Sequence, residues 1–405
     1  MKTFSVAEWT RSRFISVVVA LFFCFICQLA FGGDGLKIYL RLLFSLVGIY
    51  VTLAVSLNLI NGITGQFSIG HAAFYQIGAY TAALLGSTYF KPMADNSSLL
   101  WLLIAMGFSA ITAGVAGFIV GLPSLRLRGD YLAVVTLGIG EIVNIIVKNQ
   151  KSLGEAYGLS TAKYESTVFA VVLLAIICIA VSRNLLKTSH GLAFLAVRED
   201  EIASSAMGVN LTKIKVTAFV LGSAFAGAAG ALYAHTKGFV GPADFSMDTS
   251  FLILTMVVLG GTGSITGTTF AAIVLFIIPE KMRDMHDLML GVPIGVAIGI
   301  IGGVGMLKRI QDTFHGEGNV RLGMNVGAIA GGILTAYIAS KLLCQIHGLQ
   351  TMINGQLFRM PVLAITLVVL MLLRPQGIFG HHEFSWSWVQ KLFGKRPVPE
   401  SEVAS

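Results

Sequence analysis

About eleven apolar runs divide this chain, near residues 14–31, 38–60, 67–87, 99–121, 131–148, 166–182, 213–235, 250–279, 288–306, 325–343 and 359–373. Several reach the roughly 20 residues that an α-helix needs to cross a bilayer. Only 12% of the residues are charged and 55% are hydrophobic; a soluble domain carries about 25% charged residues. The chain therefore reads as an integral membrane protein. Segments alternating apolar with polar residues are absent, which argues against a β-barrel. Lipid leaves few other ways to satisfy backbone hydrogen bonds, so the expected fold is all-α. It is a polytopic bundle of roughly nine to eleven segments with Gly-broken or re-entrant helices.

Lys and Arg exceed Asp and Glu by 28 to 20, a net charge of +8. In a membrane protein such an excess reflects cytoplasmic loops rather than nucleic-acid binding. Basic residues cluster at the N-terminus (Lys2, Arg11, Arg13), at Arg126 and Arg128, from Arg183 to Lys215, at Lys308 and Arg309, and from Lys391 to Arg396. Placing every cluster inside is the economical topology, with both termini cytoplasmic. The first apolar run is longer than a signal-peptide core and no A-x-A site follows, so it reads as a retained helix. Cys24 and Cys27 have metal-ligand spacing but no second pair nearby; with Cys178 and Cys344 they read as small buried hydrophobes. Residues 14–374 form the membrane domain, with a loop at 183–212 and a polar stretch at 307–324. Residues 381–405 form a tail ending in disorder.

Eleven simple crossings would leave the C-terminus outside, against its charge. One run must be re-entrant or misjudged, and 250–279 is the best candidate because VVLGGTGSITGTTF interrupts it. Asn61–Phe74, NGITGQFSIGHAAF, echoes Gly260–Ala272, GGTGSITGTTFAA. Gly-interrupted segments in two halves of a transporter point to its central pathway. Asn61, Gly65, Gln66, Ser68 and His71 from the first, and Gly260, Gly261, Thr262 and Ser264 from the second, are the candidate lining. The plainer alternative is close helix packing by small residues. His71 reads more readily as a helix-packing, hydrogen-bonded histidine than as a proton carrier.

The stretch 183–235 is a charged loop running into a small-residue helix. Arg198, Glu199, Asp200 and Glu201 precede IASSAMG. Acids suit the positive end of a helix dipole. Ala203, Ser204, Ser205 and Ala206 are small, Gly208 is placed to end the helix, and Asn210 to cap the next one. A short, low-profile helix coupled to a membrane helix suits docking by a soluble protein; an ordinary solvated loop is the alternative. Arg126, Arg128 and Asp130 read as a topology anchor at a helix mouth. Glu141 is the lone acid in VVTLGIGEIVNIIV, and acids at membrane depth are functional by default, as a buried pair or in a pathway. The sequence has no G-x-x-x-x-G-K-[ST] run, so the chain is not itself an ATPase. Neither catalytic residues nor a metal site are expected.

The runs LNLINGITGQFSIGHAAFYQIGAYTAALL, LRLRGDYLAVVTLGIGEIVNIIVKN, AVREDEIASSAMGVNLTKIKVTAFVLGSAFAGAAGALYAH, VVLGGTGSITG and LRPQGIFG resemble, in order, the LivM-type branched-chain amino-acid ABC permeases. The resemblance covers about residues 50–280 and 374–380. It implies an importer subunit in the bacterial inner membrane, moving leucine, isoleucine and valine. It also implies a LivH-type second permease, two ATP-binding subunits carrying ATP-Mg, a periplasmic binding protein and no cofactor on this chain. Arg198, Glu199, Asp200, Glu201, Ala203, Ala206 and Gly208 then belong to an EAA-like loop on the ATPase. Ile202 stands where that pattern has its first alanine, and Gly208 lies one position late. Residues 281–358 look longer than the family's usual C-terminal part. Urea, short amides or other amino acids are alternative cargoes; an ion-coupled transporter or channel is the alternative of another class.

Overall fold

The computed structural model describes residues 22–28, 38–89, 99–124, 130–161, 168–283, 288–289, 298–299, 302, 331–332, 334–342, 352–353 and 368. The chain divides into two compact units, one of residues Phe4–Ile273 and one of Met1–Thr3 with Val274–Ser405.

In the larger unit, α1 spans Ile38–Asn58 and continues as a π-helical turn, Leu59–Ile63. After a glycine-containing loop, α2 spans His71–Leu84. Then come α3 (Leu99–Ser124), α4 (Asp130–Asn149) and α5 (Val168–Leu186). Two short surface helices follow, α6 (Ser189–Glu199) and α7 (Glu201–Ala206). They lead into α8 (Leu211–Lys237). A 3-10 turn, Pro242–Phe245, enters α9 (Met247–Gly260), and α10 begins at Ile265 and ends at Arg283. A two-residue antiparallel ladder pairs β1 (Leu159–Ser160) with β2 (Phe239–Val240).

Among the described residues six helices are long and apolar enough to cross a membrane: Ile38–Ile63, Leu100–Leu122, Tyr131–Asn149, Val168–Leu186, Leu211–Lys237 and Pro242–Gly260. The chain is an integral membrane protein of all-α, polytopic architecture. Helices α1, α2 and α8 form its centre. Gly78 and Gly227 let α2 and α8 approach at backbone distance, and a Cβ on Gly78 would overlap the Gly227 carbonyl oxygen. Small residues at such seams substitute van der Waals contact for the hydrophobic drive that lipid does not supply. Ser109 of α3 donates to the Gly78 carbonyl at 2.8 Å. By contrast, α3 exposes Leu103, Ile111 and Ile119, and α4 exposes Val134, Ile142 and Ile145. Apolar exposure of this kind suits lipid or a neighbouring chain.

Both glycine-interrupted runs are broken. The expected helix over 67–87 starts only at His71, and the run 250–279 is divided between α9 and α10. Helix α2 runs on through a π-helical turn, Leu85–Tyr89, and α9 follows the turn Pro242–Phe245 in a stretch that ends at Gly260. Of the run 14–31, residues 22–28 are helical and the rest lie outside the described residues, as do Arg126, Arg128, 307–324 and 381–405. In the second unit, β3 (Leu288–Met289) pairs antiparallel with β4 (Met352–Ile353), so the expected run 288–306 opens with a ladder.

Candidate functional site

The two broken segments meet at their tips. Asn58, fully buried near the end of α1, donates from Nδ2 to the Ser264 carbonyl at 3.2 Å. Its Oδ1 accepts from the Gly263 amide at 2.9 Å. Gly62 in the π-helical turn faces the Gly263 backbone so closely that a Cβ would collide with its nitrogen. Gly263 has φ +94°, a conformation that glycine adopts without a Cβ penalty. Ser264 accepts the Gly267 amide on Oγ at 3.1 Å and so caps α10. Gly260 packs against Gly267 and Thr268, while Gly261 and the half-buried Thr262 complete the turn. These contacts make the tips a clamp between α1 and the start of α10. Asn58, which the sequence reading did not single out, is its central residue.

The polar residues between α1 and α2 divide into two sets. Asn61 is used locally: its Nδ2 donates to the Ser68 carbonyl at 2.9 Å, and its Oδ1 accepts the Ser68 amide at 3.2 Å. His71 shares a 2.8 Å hydrogen bond between Nε2 and Ser56 Oγ. That fits the packing role its position suggested. Gln66 Oε1, Ser68 Oγ and His71 Nδ1 are buried with no hydrogen-bond partner among the described residues.

The charged loop folds as a sequence of caps. Thr188 Oγ1 accepts the Gly191 amide at the start of α6. Asp200 Oδ1 accepts the amides of Ile202 and Ala203, at 2.8 and 3.0 Å, and caps α7. Gly208, at φ +86°, ends it, and Asn210 Oδ1 accepts the Lys213 amide at 3.0 Å to open α8. The cap on α7 is thus Asp200, with Glu201 in its first turn. Glu201 pairs with Lys215 of α8 at 2.6 Å, and Lys215 is only 4% exposed. Glu199 lies 3.5 Å from Arg198 Nε.

Helix α7 stands proud of the bundle. Ala203, Ala206 and Gly208 are exposed, Ile202 is 71% and Met207 85% exposed, and only Ser204 turns inward. Leu192 on α6 is 68% exposed. Apolar side chains presented on an otherwise charged loop mark a contact surface.

Underneath, the loop is fastened to the broken helix. Phe194 and Val197 of α6 pack with Leu59 and Ile63 of the π-helical turn and with Ile214 and Ala218 of α8. Arg198 Nη1 donates to the Gly62 carbonyl at 3.1 Å, and its side chain also lies against Gly65 and Gly263. The expected coupling set and the expected pathway set therefore adjoin at Arg198. The charge pattern announced neither contact, because the partner is a backbone carbonyl 136 residues away.

Glu141 is half-buried at the middle of α4, with no hydrogen-bond or ion-pair partner among the described residues. One turn on, Asn144 is buried and donates to the carbonyls of Pro242 and Phe245.

Far from α7, at the other end of α8, three rings close on one another. Tyr75 and Tyr233 have centroids 5.3 Å apart, Tyr75 and Phe245 4.9 Å, and Tyr233 and Phe245 5.6 Å, all edge-to-face. Lys237 pairs with Asp244 at 3.0 Å and sits 5.0 Å above the Tyr233 ring. The sequence held no signal for this cluster beyond the aromatic residues themselves.

A family model described as the branched-chain amino acid transport system / permease component matches residues 39–292. The high-affinity branched-chain amino acid transport system permease protein LivM of Salmonella typhimurium is 37% identical over 281 residues, 60% of this chain and 64% of the relative. LivM of Escherichia coli is 36% identical over 285 residues, 61% of this chain and 65% of the relative. The probable LivM of Methanocaldococcus jannaschii is 27% identical, over 62% of this chain and 82% of the relative. The match thus spans slightly less than two thirds of the first two relatives. No solved structure matches.

Proposed function

The chain belongs to the branched-chain amino acid transport permease family, and from that premise we propose that it is the membrane-spanning subunit of an ABC importer for branched-chain amino acids. ATP is hydrolysed on two separate subunits that dock on α7; a LivH-type second permease and a periplasmic binding protein complete the assembly. The α6–α7 end faces the cytoplasm and the Tyr75–Tyr233–Phe245 end faces outward across the inner membrane. Leucine, isoleucine and valine are the cargo.

One observation carries this reading: the surface helix shaped for docking, α7, follows directly on α6, whose Arg198 is bonded to the π-helical turn at the end of α1. A push on α7 reaches α8 through Glu201 and Lys215, and reaches the Gly62–Gly263 clamp through Arg198. Helices broken by π-turns are hinge points, and discontinuous membrane helices surround transport pathways. ATP-driven closure of the docked subunits would then tilt α1 and α8 together and move the tips.

The test needs substitutions that do not disturb the fold. Glu201 is unsuitable because it neutralises buried Lys215. Met207→Asp and Ile202→Asp change exposed side chains only. Co-purification of the ATPase subunits and ATP-dependent uptake should both fall at least tenfold, with the variants inserted normally. Unchanged association in the double variant would refute docking at α7.

A further inference from the structure

Helix α4 is the least buried of the six apolar helices. Its two faces differ. One is fastened to the bundle: Thr136 Oγ1 accepts the Ile69 amide at 3.1 Å, and a Cβ on Gly70 would overlap the Thr136 carbonyl oxygen. Further along, Asn144 Nδ2 donates to the carbonyls of Pro242 and Phe245 at 3.4 and 3.3 Å. This face thus holds the loop that leads into α2 and the turn that enters α9.

The other face carries Val134, Gly138, Glu141 and Ile145. Their spacing of four, three and four residues sets them in one stripe along the helix. Val134, Gly138 and Ile145 are exposed, and Glu141 is half-buried beside them. A Cβ on Gly138 would meet nothing within 4 Å. A glycine in mid-helix weakens the helix relative to alanine, and this one serves no packing among the described residues. In a membrane, such a notch lets a second helix approach at backbone distance. Glu141 is the independent sign. It stands at the middle of α4 with no hydrogen-bond or ion-pair partner among the described residues. Hydrocarbon cannot meet a carboxyl group, and acids at membrane depth find a partner on protein or face water.

We propose that this stripe seats the second permease subunit, a membrane helix of which sets a Lys, an Arg or another hydrogen-bond donor against Glu141. The inference rests on the assembly proposed above and names the surface and the chemistry of one of its contacts.

Charge decides the occupant. Lipid would leave the carboxyl group unmet. A second copy of this chain, docked about a two-fold axis on the same stripe, would bring Glu141 to face Glu141. Like charges set against each other across an interface are costly. A subunit of different sequence that supplies a donor has neither difficulty. Thr136 and Asn144 tie the back of the same helix to the loops before α2 and α9, so the docked subunit would lie one helix away from both broken segments.

The test is capture of this chain by an affinity-tagged second permease subunit, from detergent-solubilised membranes holding the complete transporter, alongside the Tm of the purified chain. Gly138→Leu and Glu141→Leu should each lower the captured amount by about tenfold or more, with Tm unchanged or higher. Glu141→Gln, which keeps an acceptor and adds a donor, should lower it by only about threefold. Unchanged capture in both leucine variants overturns the inference: the stripe then faces lipid if uptake persists, and Glu141 lines the pathway if uptake is lost. A lower Tm in both leucine variants also overturns it, the stripe then being packed within the chain. Capture of an untagged copy by a tagged copy of this chain, lost in the same variants, overturns it in favour of a second copy. A wild-type chain that no second permease captures overturns the assembly proposed above, and this contact with it.

Discussion

Arg198 Nη1 and the Gly62 carbonyl oxygen are 3.1 Å apart, joining residues 136 positions distant in the chain. One belongs to a surface helix and the other to the π-helical turn that ends α1. The bond gives the loop a grip on the membrane-embedded break that packing alone would leave slack. A hydrogen bond from a charged donor contributes about 1.5–3 kcal/mol. Arg198→Ala should therefore leave the chain folded and the ATPases bound, yet reduce substrate moved per ATP several-fold. Parallel assays of uptake and hydrolysis on reconstituted vesicles check this; equal losses of both would mean that Arg198 serves docking rather than transmission.

Asn58 holds both sides of the clamp. Asn58→Ala strands the Gly263 amide and the Ser264 carbonyl, and should lower stability by about 2–4 kcal/mol. Asn58→Asp keeps the acceptor for Gly263 and loses the donor to Ser264, so it should be milder in structure but places a charge at membrane depth. Thermal unfolding of the two variants in detergent ranks them.

Two glycines should respond to different degrees to the same added methyl group. Gly78→Ala drives a Cβ into the Gly227 backbone and forces α2 from α8, costing about 1–3 kcal/mol. Gly208→Ala meets nothing within 4 Å and costs only the strain of φ +86°, about 1 kcal/mol. A Tm comparison distinguishes them, Gly78→Ala melting lower.

The Glu201–Lys215 pair makes an asymmetric prediction. Glu201→Gln leaves a buried ammonium group without its carboxylate and should destabilise by about 1–3 kcal/mol, less than for a fully buried pair because Glu201 is a third exposed. Lys215→Met removes the charge that needs compensation and should be near neutral. Unfolding of the single and double variants tests the coupling.

The apolar runs made the helices legible, since α3, α4, α5 and α8 fall within a few residues of their expected spans. Lipid imposes that length directly, so composition alone reveals it. The caps at Gly208 and Asn210 were legible for a similar reason: they answer to local backbone geometry. What the sequence could not display was contact between distant parts. The echo between NGITG and GGTGSITG marked two breaks, but not that Gly62 would lie against Gly263 with Asn58 bonding across them. Asn61, expected among the lining, bonds the backbone of Ser68 in its own loop.

The most direct test of the whole account is leucine uptake by vesicles holding the complete transporter, with ATP supplied on the α7 side and no ion gradient. The account predicts accumulation against a gradient that requires ATP and the binding protein and stops when Met207→Asp releases the ATPases. Uptake driven by an ion gradient with the ATPases absent would contradict it.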